Sequence, residues 1–205
     1  AKLNSNESPL APSQAVLKAI TETAPIVNRY PLVSQELRQK IAGYVSLKPE
    51  NVLIGNGSDE LIDAVVKTFV NPGENVIVSV PTFEMYEFYT ELAGGQVRFV
   101  RMKRDFSYDV KAILKAISKR TKLIFICSPN NPTGGVILEE DLLKIAEKDV
   151  IVVIDEAYVE FAEKSLVPFL KTRNNLVFLR TFSKAFGLAG LRIGYALADA
   201  DVMGY

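Results

Sequence analysis

Short apolar runs alternate with segments of helical periodicity along most of the chain. The runs have the length of buried strands and end at turn residues; they are NVLI (51–54), NVIVSV (75–80), QVRFVRM (96–102), KLIFICS (122–128), VIVVID (150–155), NLVFLRTF (175–182) and RIGYALA (192–198). Between the first five runs, apolar residues recur at helical spacing, as in SDELIDAVVKTFV (58–70). Strands that alternate with helices form a mostly parallel sheet covered on both faces. The pattern therefore predicts an α/β fold with three layers, α/β/α.

The first 45 residues depart from this alternation. NSNESPLAPSQ (4–14) is rich in turn residues, and helical periodicity is confined to positions near 13–22 and 34–45. We therefore expect an N-terminal arm with cap helices over residues 1–45, and a ligand-binding domain over residues 46–205.

Composition narrows the function. The 205 residues include 24 basic and 24 acidic side chains without a long block of either sign, so nucleic acid and anionic membranes are not expected partners. No apolar run approaches the roughly 20 residues of a membrane span, the N-terminus lacks a signal peptide's apolar core, and the single cysteine, Cys127, favours a reducing cytoplasm. The absence of histidine excludes a Ser-His-Asp triad, and an ordinary zinc or copper site is not expected.

The loop after the first strand, GNGSDE (55–60), is a candidate anion site. Ligands of such sheets bind beyond the carboxyl ends of the strands. The N–H groups of Gly57, Ser58 and Asp59 would lie at the positive end of the following helix and suit a phosphate, although a plain turn and helix cap explains the same residues. Because Asp59 and Glu60 repel anions, a cation such as Arg192 would have to join them.

Two further loops carry candidate polar groups. In SPNNPTGG (128–135), Asn131 suits recognition of a hydroxyl or phenolate oxygen, or it belongs to an ordinary loop. Asp155 ends an apolar strand, where a carboxylate needs a cationic partner. The partner is either a basic side chain in a structural salt bridge or the nitrogen of a bound heterocycle. In the second case, Tyr158 would lie one helical turn away on the same face.

The segment RTFSKAFGLAGLRIGY (180–195) surrounds Lys184 with small residues. In one interpretation, Lys184 simply faces solvent. In the alternative interpretation, desolvation and a nearby Arg192 favour the neutral, nucleophilic amine. A lysine for a Schiff base, an aspartate for a ring nitrogen, an asparagine and a tyrosine for a phenolate, and a serine with an arginine for phosphate together describe pyridoxal 5′-phosphate.

Three of these segments, SPNNPTG, IDEAYVEF and RTFSKAFGLAGLRIGY, resemble fold-type I aminotransferases, and most closely the histidinol-phosphate aminotransferases. The likeness runs from LNSNESP to GYALAD. It implies that Lys184 binds the cofactor covalently and shuttles a proton, that Asp155 contacts the pyridine nitrogen, and that Asn131 and Tyr158 hold the ring O3′. The phosphate would be bound by a larger set of groups: Ser183, Arg192 and the amides of Gly57, Ser58 and Asp59.

The resemblance also implies roles outside these three segments. Tyr86 matches the aromatic residue that stacks on the cofactor ring, with Phe83 as its competitor. Tyr30, in NRYP, matches a tyrosine lent to the phosphate site of the neighbouring subunit in a homodimer. Asn6 and Glu7 match the segment that lines the substrate site.

The implied reaction moves an amino group from a small-molecule donor to a 2-oxo acid, with histidinol phosphate and 2-oxoglutarate as the pair, in histidine biosynthesis. Family members carry a further C-terminal segment that forms a small domain, and we expect this domain to be missing from the chain. Two alternatives stay open. One is a related pyridoxal-phosphate enzyme, such as a threonine-phosphate decarboxylase or an aromatic aminotransferase, and the other is a non-catalytic cofactor-binding fragment.

Overall fold

The computed structural model describes residues 4–30 and 35–205, and in this part of the chain seven strands form one sheet. The strands are β1 (Val52–Gly55), β2 (Asn75–Val80), β3 (Gln96–Arg101), β4 (Thr121–Cys127), β5 (Ile151–Asp155), β6 (Leu176–Thr181) and β7 (Gly194–Ala198). Their order is β1-β7-β6-β5-β4-β2-β3, and β7 is antiparallel to both neighbours whereas the other pairs are parallel. The mostly parallel sheet is confirmed, with each strand near its predicted position.

Helices connect the first five strands, as the periodicity predicts, whereas 3-10 turns connect β5 to β6. The α-helices of the described residues are α1 (Gln14–Thr23), α2 (Gln35–Val45), α3 (Ser58–Phe69), α4 (Met85–Leu92), α5 (Val110–Ala116), α6 (Glu139–Ala146) and the short α7 (Ala200–Met203), which the pattern does not predict. Capping fixes where two of them begin, because the Ser13 and Asp109 side chains accept the N–H groups of Val16 and Ala112. Residue 34, the predicted start of the second helix, lies outside the described residues. Across residues 4–30 and 35–205, no helix is both long and apolar enough to cross a bilayer.

Two apolar clusters lie on opposite faces of the sheet. One contains Leu61 and Ile62 of α3 together with Tyr86 of α4. The other contains Ile113 of α5 and Leu142 of α6. Alternate side chains of the strands enter one cluster or the other, which is the period of a strand buried on both faces. The predicted three-layer arrangement is therefore confirmed.

The N-terminal helices differ in how they pack. No residue of α1 is buried, whereas Ile41 and Ala42 of α2 belong to the apolar core on one face of the sheet. Thus α2 packs as a layer helix of the sheet, and α1 lies on the surface beside the turn-rich arm. The division of the chain at residue 45 remains a prediction.

Candidate active site

A cavity of about 560 Å³ lies beyond the carboxyl ends of β4, β5 and β6. This volume is typical of a small-molecule site. Most of the residues singled out in the sequence line it: Asn6, Glu7, Ser58, Asp59, Asn131, Asp155, Tyr158, Ser183, Lys184 and Arg192. The fold thus brings together residues that are up to 186 positions apart, because every strand-end loop of a parallel sheet opens toward the same edge.

The start of α3 forms one end of the cavity. Gly57 precedes the helix with a φ of 83°, a backbone conformation that side chains rarely adopt. Gly194 of β7 packs directly under this turn, since a Cβ at Gly194 would lie 2.5 Å from the Gly57 carbonyl carbon and 2.6 Å from the Ser58 nitrogen. Two glycines therefore let β7 support the first turn of α3, where free N–H groups favour an anion.

Arg192 supplies the cation that this acidic turn requires. It follows a short 3-10 turn with a left-handed φ of 51°, and its guanidinium lies 3.3 Å from the Asp59 carboxylate and 3.4 Å from the Ser183 hydroxyl. A Cβ on Gly57 would clash with the same guanidinium. The positive charge therefore lies over the start of α3, as the sequence predicts.

Thr181 orients Ser183, a contact that the sequence analysis missed. The Thr181 hydroxyl donates to the Ser183 hydroxyl at 2.9 Å and accepts the Ser183 N–H at 3.0 Å. Both side chains are buried and line the cavity. The sequence does carry a signal for Thr181, because it is the last residue of its strand and lies two positions before a serine assigned to the site.

Asp155 is the last residue of β5 and is almost completely buried, with 3% of its surface exposed. The Ala157 N–H donates to Oδ1 at 2.9 Å, and the Tyr86 hydroxyl donates to Oδ2 at 2.7 Å. Burial raises the pKa of the Asp155 carboxyl, the two donors oppose that rise, and the charges of Asp59 and Glu156 add to it. The described residues provide no ion-pair partner for Asp155, so it is a buried carboxylate that lacks a cation.

The two candidate aromatic residues are placed differently from the expectation. Tyr86 is completely buried below Asp155, with its ring stacked on Phe125 at a centroid distance of 4.6 Å. It does not line the cavity, whereas Phe83 does and meets the edge of the Tyr86 ring at 5.7 Å. The first turn of α4 directs Tyr86 into the core, so that of these two candidates Phe83 is the one at the cavity.

Lys184 is half-buried and contacts the N-terminal arm. Its Nζ donates to the Ser5 carbonyl oxygen at 2.7 Å and lies 5.6 Å from the centroid of the Tyr158 ring. The Asn6 amide donates to the Tyr158 hydroxyl at 2.9 Å and lies 3.5 Å from Asn131 Oδ1. The arm thus closes one side of the cavity. No sequence signal identifies Ser5, since a backbone carbonyl is common to every residue.

Two loops hold the polar pair Asn131 and Tyr158. The Asn130 side chain accepts from the Thr82 hydroxyl at 2.7 Å and donates to the Thr133 hydroxyl at 2.8 Å, which ties down the loop and leaves Asn131 at the cavity. Tyr158 reaches the cavity through a turn after β5, and not through the predicted helical turn.

Glu156 points away from the cavity into a buried ion pair. Arg180 donates to Glu156 Oε2 through Nε at 2.9 Å and through Nη2 at 2.7 Å, and the Leu166 N–H donates to Oε1 at 2.7 Å. Ser165 completes this network. Glu156 is therefore a structural residue, whose contacts join the ends of β5 and β6.

Tyr30 lies outside the cavity, with 98% of its surface exposed. Pro31 of the NRYP segment lies outside the described residues. The assignment of Tyr30 to a neighbouring subunit therefore stays a prediction.

Comparison with known proteins agrees with this geometry. The family model of aminotransferase class I and II matches residues 1–205. The chain is 43% identical over its full length to a histidinol-phosphate aminotransferase of Caldanaerobacter subterraneus, and 46% identical over 96% of its length to one of Methanosarcina barkeri. It spans 60% and 54% of the lengths of these two relatives.

Solved structures show the same likeness. The crystal structure of histidinol-phosphate aminotransferase from Sinorhizobium meliloti in complex with pyridoxal 5′-phosphate superposes with a TM-score of 0.90 at 30% identity, over 97% of this chain and 56% of that one. Sequence, fold and site geometry agree, and the chain belongs to the aminotransferase class I and II family.

Proposed function

We propose that this chain is the cofactor-binding domain of a pyridoxal 5′-phosphate-dependent aminotransferase. The observation that carries the proposal is the buried Asp155 carboxylate, which has no ion-pair partner among the described residues and lines the same cavity as Lys184 and Arg192. A protonated pyridine nitrogen supplies the missing charge, and the glycine-supported start of α3 with Arg192 suits the phosphate. The residues present therefore fit this cofactor, which when bound provides an electron sink for the substrate Cα.

The side chains divide the work of holding the cofactor. Lys184 would bind it covalently, and its free amine would move a proton at the substrate Cα. Asp155 would keep the ring nitrogen protonated, and Asn131 with Tyr158 would hold the ring O3′. The phosphate is bound by several groups at the other end of the cavity: Ser183, Arg192 and the amides of Gly57, Ser58 and Asp59.

Phe83 covers the ring in this proposal. It lines the cavity, whereas Tyr86 is packed under Asp155 and presents no surface to a ligand. An aromatic face against a heterocyclic ring contributes roughly 0.5–1.5 kcal/mol beyond its buried area.

The proposed substrates are histidinol phosphate as amino donor and 2-oxoglutarate as acceptor, in histidine biosynthesis. Support comes from the relatives, which carry the name of this activity at 41–46% identity. Asn6 and Glu7 lie on the arm at the cavity, where they contact the substrate. The chain spans 60% and 54% of the lengths of two of these relatives, so the substrates of the whole enzyme are part of this proposal.

A homodimer completes the proposal. Tyr30 donates its hydroxyl to the phosphate held by the neighbouring subunit, and the apolar side chains exposed beside it, Ile26 and Val27, suit an interface. We place the protein in the cytoplasm, where a lone thiol such as Cys127 stays reduced.

The test is an absorbance titration followed by a donor panel. Pyridoxal 5′-phosphate added to the purified protein should give a visible band that changes when histidinol phosphate is added, and 2-oxoglutarate should then yield glutamate. Aromatic amino acids and O-phosphothreonine serve as competing donors. Release of carbon dioxide from O-phosphothreonine would instead identify a decarboxylase, and cofactor binding without turnover would contradict catalysis by this chain.

A further inference from the structure

The Tyr86 hydroxyl makes a buried hydrogen bond that none of the proposed cofactor contacts explains. Tyr86 is completely buried in α4, and its hydroxyl donates to Oδ2 of Asp155, 69 residues away in sequence, at 2.7 Å, with the Cys127 thiol also beside it. Its ring is held on one face by Phe125 and at an edge by Phe83. A side chain packed on this many sides has one orientation, so its hydroxyl has a fixed direction.

Tyr86 keeps its proton and therefore donates. Burial, followed by the Asp155 charge, holds the pKa of the Tyr86 phenol well above its usual range. The carboxylate thus receives one donor on each oxygen, Tyr86 on Oδ2 and the Ala157 N–H on Oδ1. An ionised carboxylate has about four acceptor positions. Two of them remain for a donor that enters from the cavity.

We propose that Tyr86 is a positioning residue that acts through Asp155, holding its carboxylate ionised and aimed at the ring nitrogen of the bound cofactor. This inference rests on the proposed function. Hydrogen bonding to the charged form offsets part of the cost of burying a carboxylate, and here it comes from neutral donors. The site therefore keeps a negative charge available without a resident cation that would compete with the cofactor.

Other titratable groups face Asp155 from each element packed around it. The buried Cys127 thiol, whose pKa burial raises to about 12, and the buried Tyr108 phenol are neutral at physiological pH. The charged groups around the cavity come from four segments. Asp59 lies on α3, Glu156 follows β5, Glu7 lies on the N-terminal arm, and Lys184 and Arg192 lie in the segment after β6. Among these groups, Tyr86 is the one with a hydroxyl bonded to Asp155.

Tyr86→Phe removes the hydroxyl and preserves the ring. The matched control is Tyr108→Phe, which removes another buried phenol hydroxyl, one bonded to the Cys127 carbonyl oxygen on the neighbouring strand. The first measurement is a carbon-13 NMR titration of the aspartate carboxyls in the cofactor-free protein, with Asp155 assigned by the loss of its signal in Asp155→Asn. We expect the pKa of Asp155 to rise further in Tyr86→Phe and to be unchanged in Tyr108→Phe, because only the first change removes a donor to the charged form.

The second measurement is the dissociation constant of pyridoxal 5′-phosphate at neutral pH. Loss of the donor lowers the fraction of Asp155 that is ionised and correctly oriented, so Tyr86→Phe should raise this constant about tenfold. In the Asp155→Asn background the same change should have no effect on the constant, because the group through which Tyr86 acts is gone.

The outcomes separate the two proposals. An unchanged Asp155 pKa, or an unchanged cofactor affinity in Tyr86→Phe, would overturn the positioning role. If the unsubstituted protein does not bind the cofactor, the proposed function is contradicted and this role with it. The NMR titration would still report whether Tyr86 lowers the pKa of the Asp155 carboxyl. If Tyr86→Phe does not fold, 3-fluorotyrosine at position 86 keeps the hydroxyl and makes it a stronger donor. The Asp155 pKa should then fall, and a constant value would contradict the inference.

Discussion

At the scale of single residues, the group proposed for covalent attachment and the groups proposed for anion binding make different contacts. Lys184 contacts the arm through Ser5, whereas Arg192 contacts Ser183 and Asp59 at the start of α3. Because the two ends of the cavity are built from different contacts, removal of one should leave the other intact.

Lys184→Ala should therefore abolish covalent attachment and retain phosphate-anchored binding of pyridoxal 5′-phosphate. Amino transfer should fall on the order of 10²–10⁴-fold, the contribution of a positioned general base. The measurement is mass spectrometry after borohydride reduction, which should show a cofactor adduct on the unsubstituted protein and none on the variant. A reducible lysine adduct that persists in Lys184→Ala would reject this assignment.

Asp155→Asn should change how stability depends on pH. The folded-state pKa of Asp155 is raised, so the folded protein holds this proton more tightly than the unfolded chain does. Below its ordinary pKa, the Asp155 carboxyl is protonated in both states and does not change the free energy of unfolding. As the pH rises from there through the folded-state pKa, ionisation of this group lowers the free energy of unfolding. Asparagine does not titrate, so the cofactor-free variant should gain stability relative to the unsubstituted protein between acid and neutral pH.

Urea unfolding at pH 4 and pH 7.5 measures this difference, and a difference independent of pH would contradict the assigned titration. The same variant should lose about 2–5 kcal/mol of transition-state stabilisation in the loaded enzyme, the usual result of removing one partner of a buried charge pair. A site that costs stability and is required for activity is common in enzymes.

At the scale of elements, the first turn of α3 and the start of β7 act as one unit. β7 lies between β1 and β6, antiparallel to both, and its first residue, Gly194, packs against the backbone of Gly57 and Ser58. The proposed anion site is therefore built on the sheet itself, which supports the N–H groups of α3.

Gly194→Ala should displace this turn. The new methyl group would meet backbone atoms at 2.5–2.6 Å, and backbone is unable to give way as a flexible side chain does. We expect a loss of about 1–3 kcal/mol in the free energy of unfolding and a weaker affinity for pyridoxal 5′-phosphate. Chemical denaturation and an absorbance titration measure the two effects.

Gly43→Ala is the matched control. Gly43 lies inside α2, and its added Cβ would meet nothing within 4 Å. Alanine should stabilise this helix by up to about 1 kcal/mol and leave cofactor affinity unchanged. Equal cofactor affinities in the two alanine variants would argue against the support that β7 gives to α3.

At the scale of the whole molecule, the proposed site is shared between two chains. Tyr30 is almost completely exposed and lies outside its own cavity, next to apolar side chains that are also exposed. If it completes the phosphate site of a partner, a dimer built from two different defective chains contains one intact site.

Mixing Tyr30→Phe with Lys184→Ala tests this arrangement. In the mixed dimer, the subunit that keeps Lys184 receives its tyrosine from the Lys184→Ala partner, so one of the two sites regains both groups. Amino transfer by the mixture should exceed the sum of the separate variants. A lack of gain despite proven subunit exchange, or a stable monomer with full cofactor affinity, would contradict the shared site.

Many structural features of this protein can be predicted from local patterns in its sequence. The strands and helices follow from the periodicity of apolar residues, and the candidate groups at the strand ends follow from the rule that parallel strands direct their carboxyl ends to one edge. The requirement for a cation near Asp59 follows from charge alone, and Arg192, 133 residues later, meets it. These features depend on spacing and charge, which a sequence states directly.

Tertiary packing decided the rest. The direction of a side chain at the start of a helix depends on how the helix meets the sheet, so only the structure distinguishes Phe83 at the cavity from Tyr86 beneath Asp155. The Ser5 carbonyl near Lys184 leaves no sequence signal because all residues carry that group. Likewise, the buried Asp155 has two neutral donors and no cation among the described residues, which depends on distances between segments far apart in the chain and not on any local pattern.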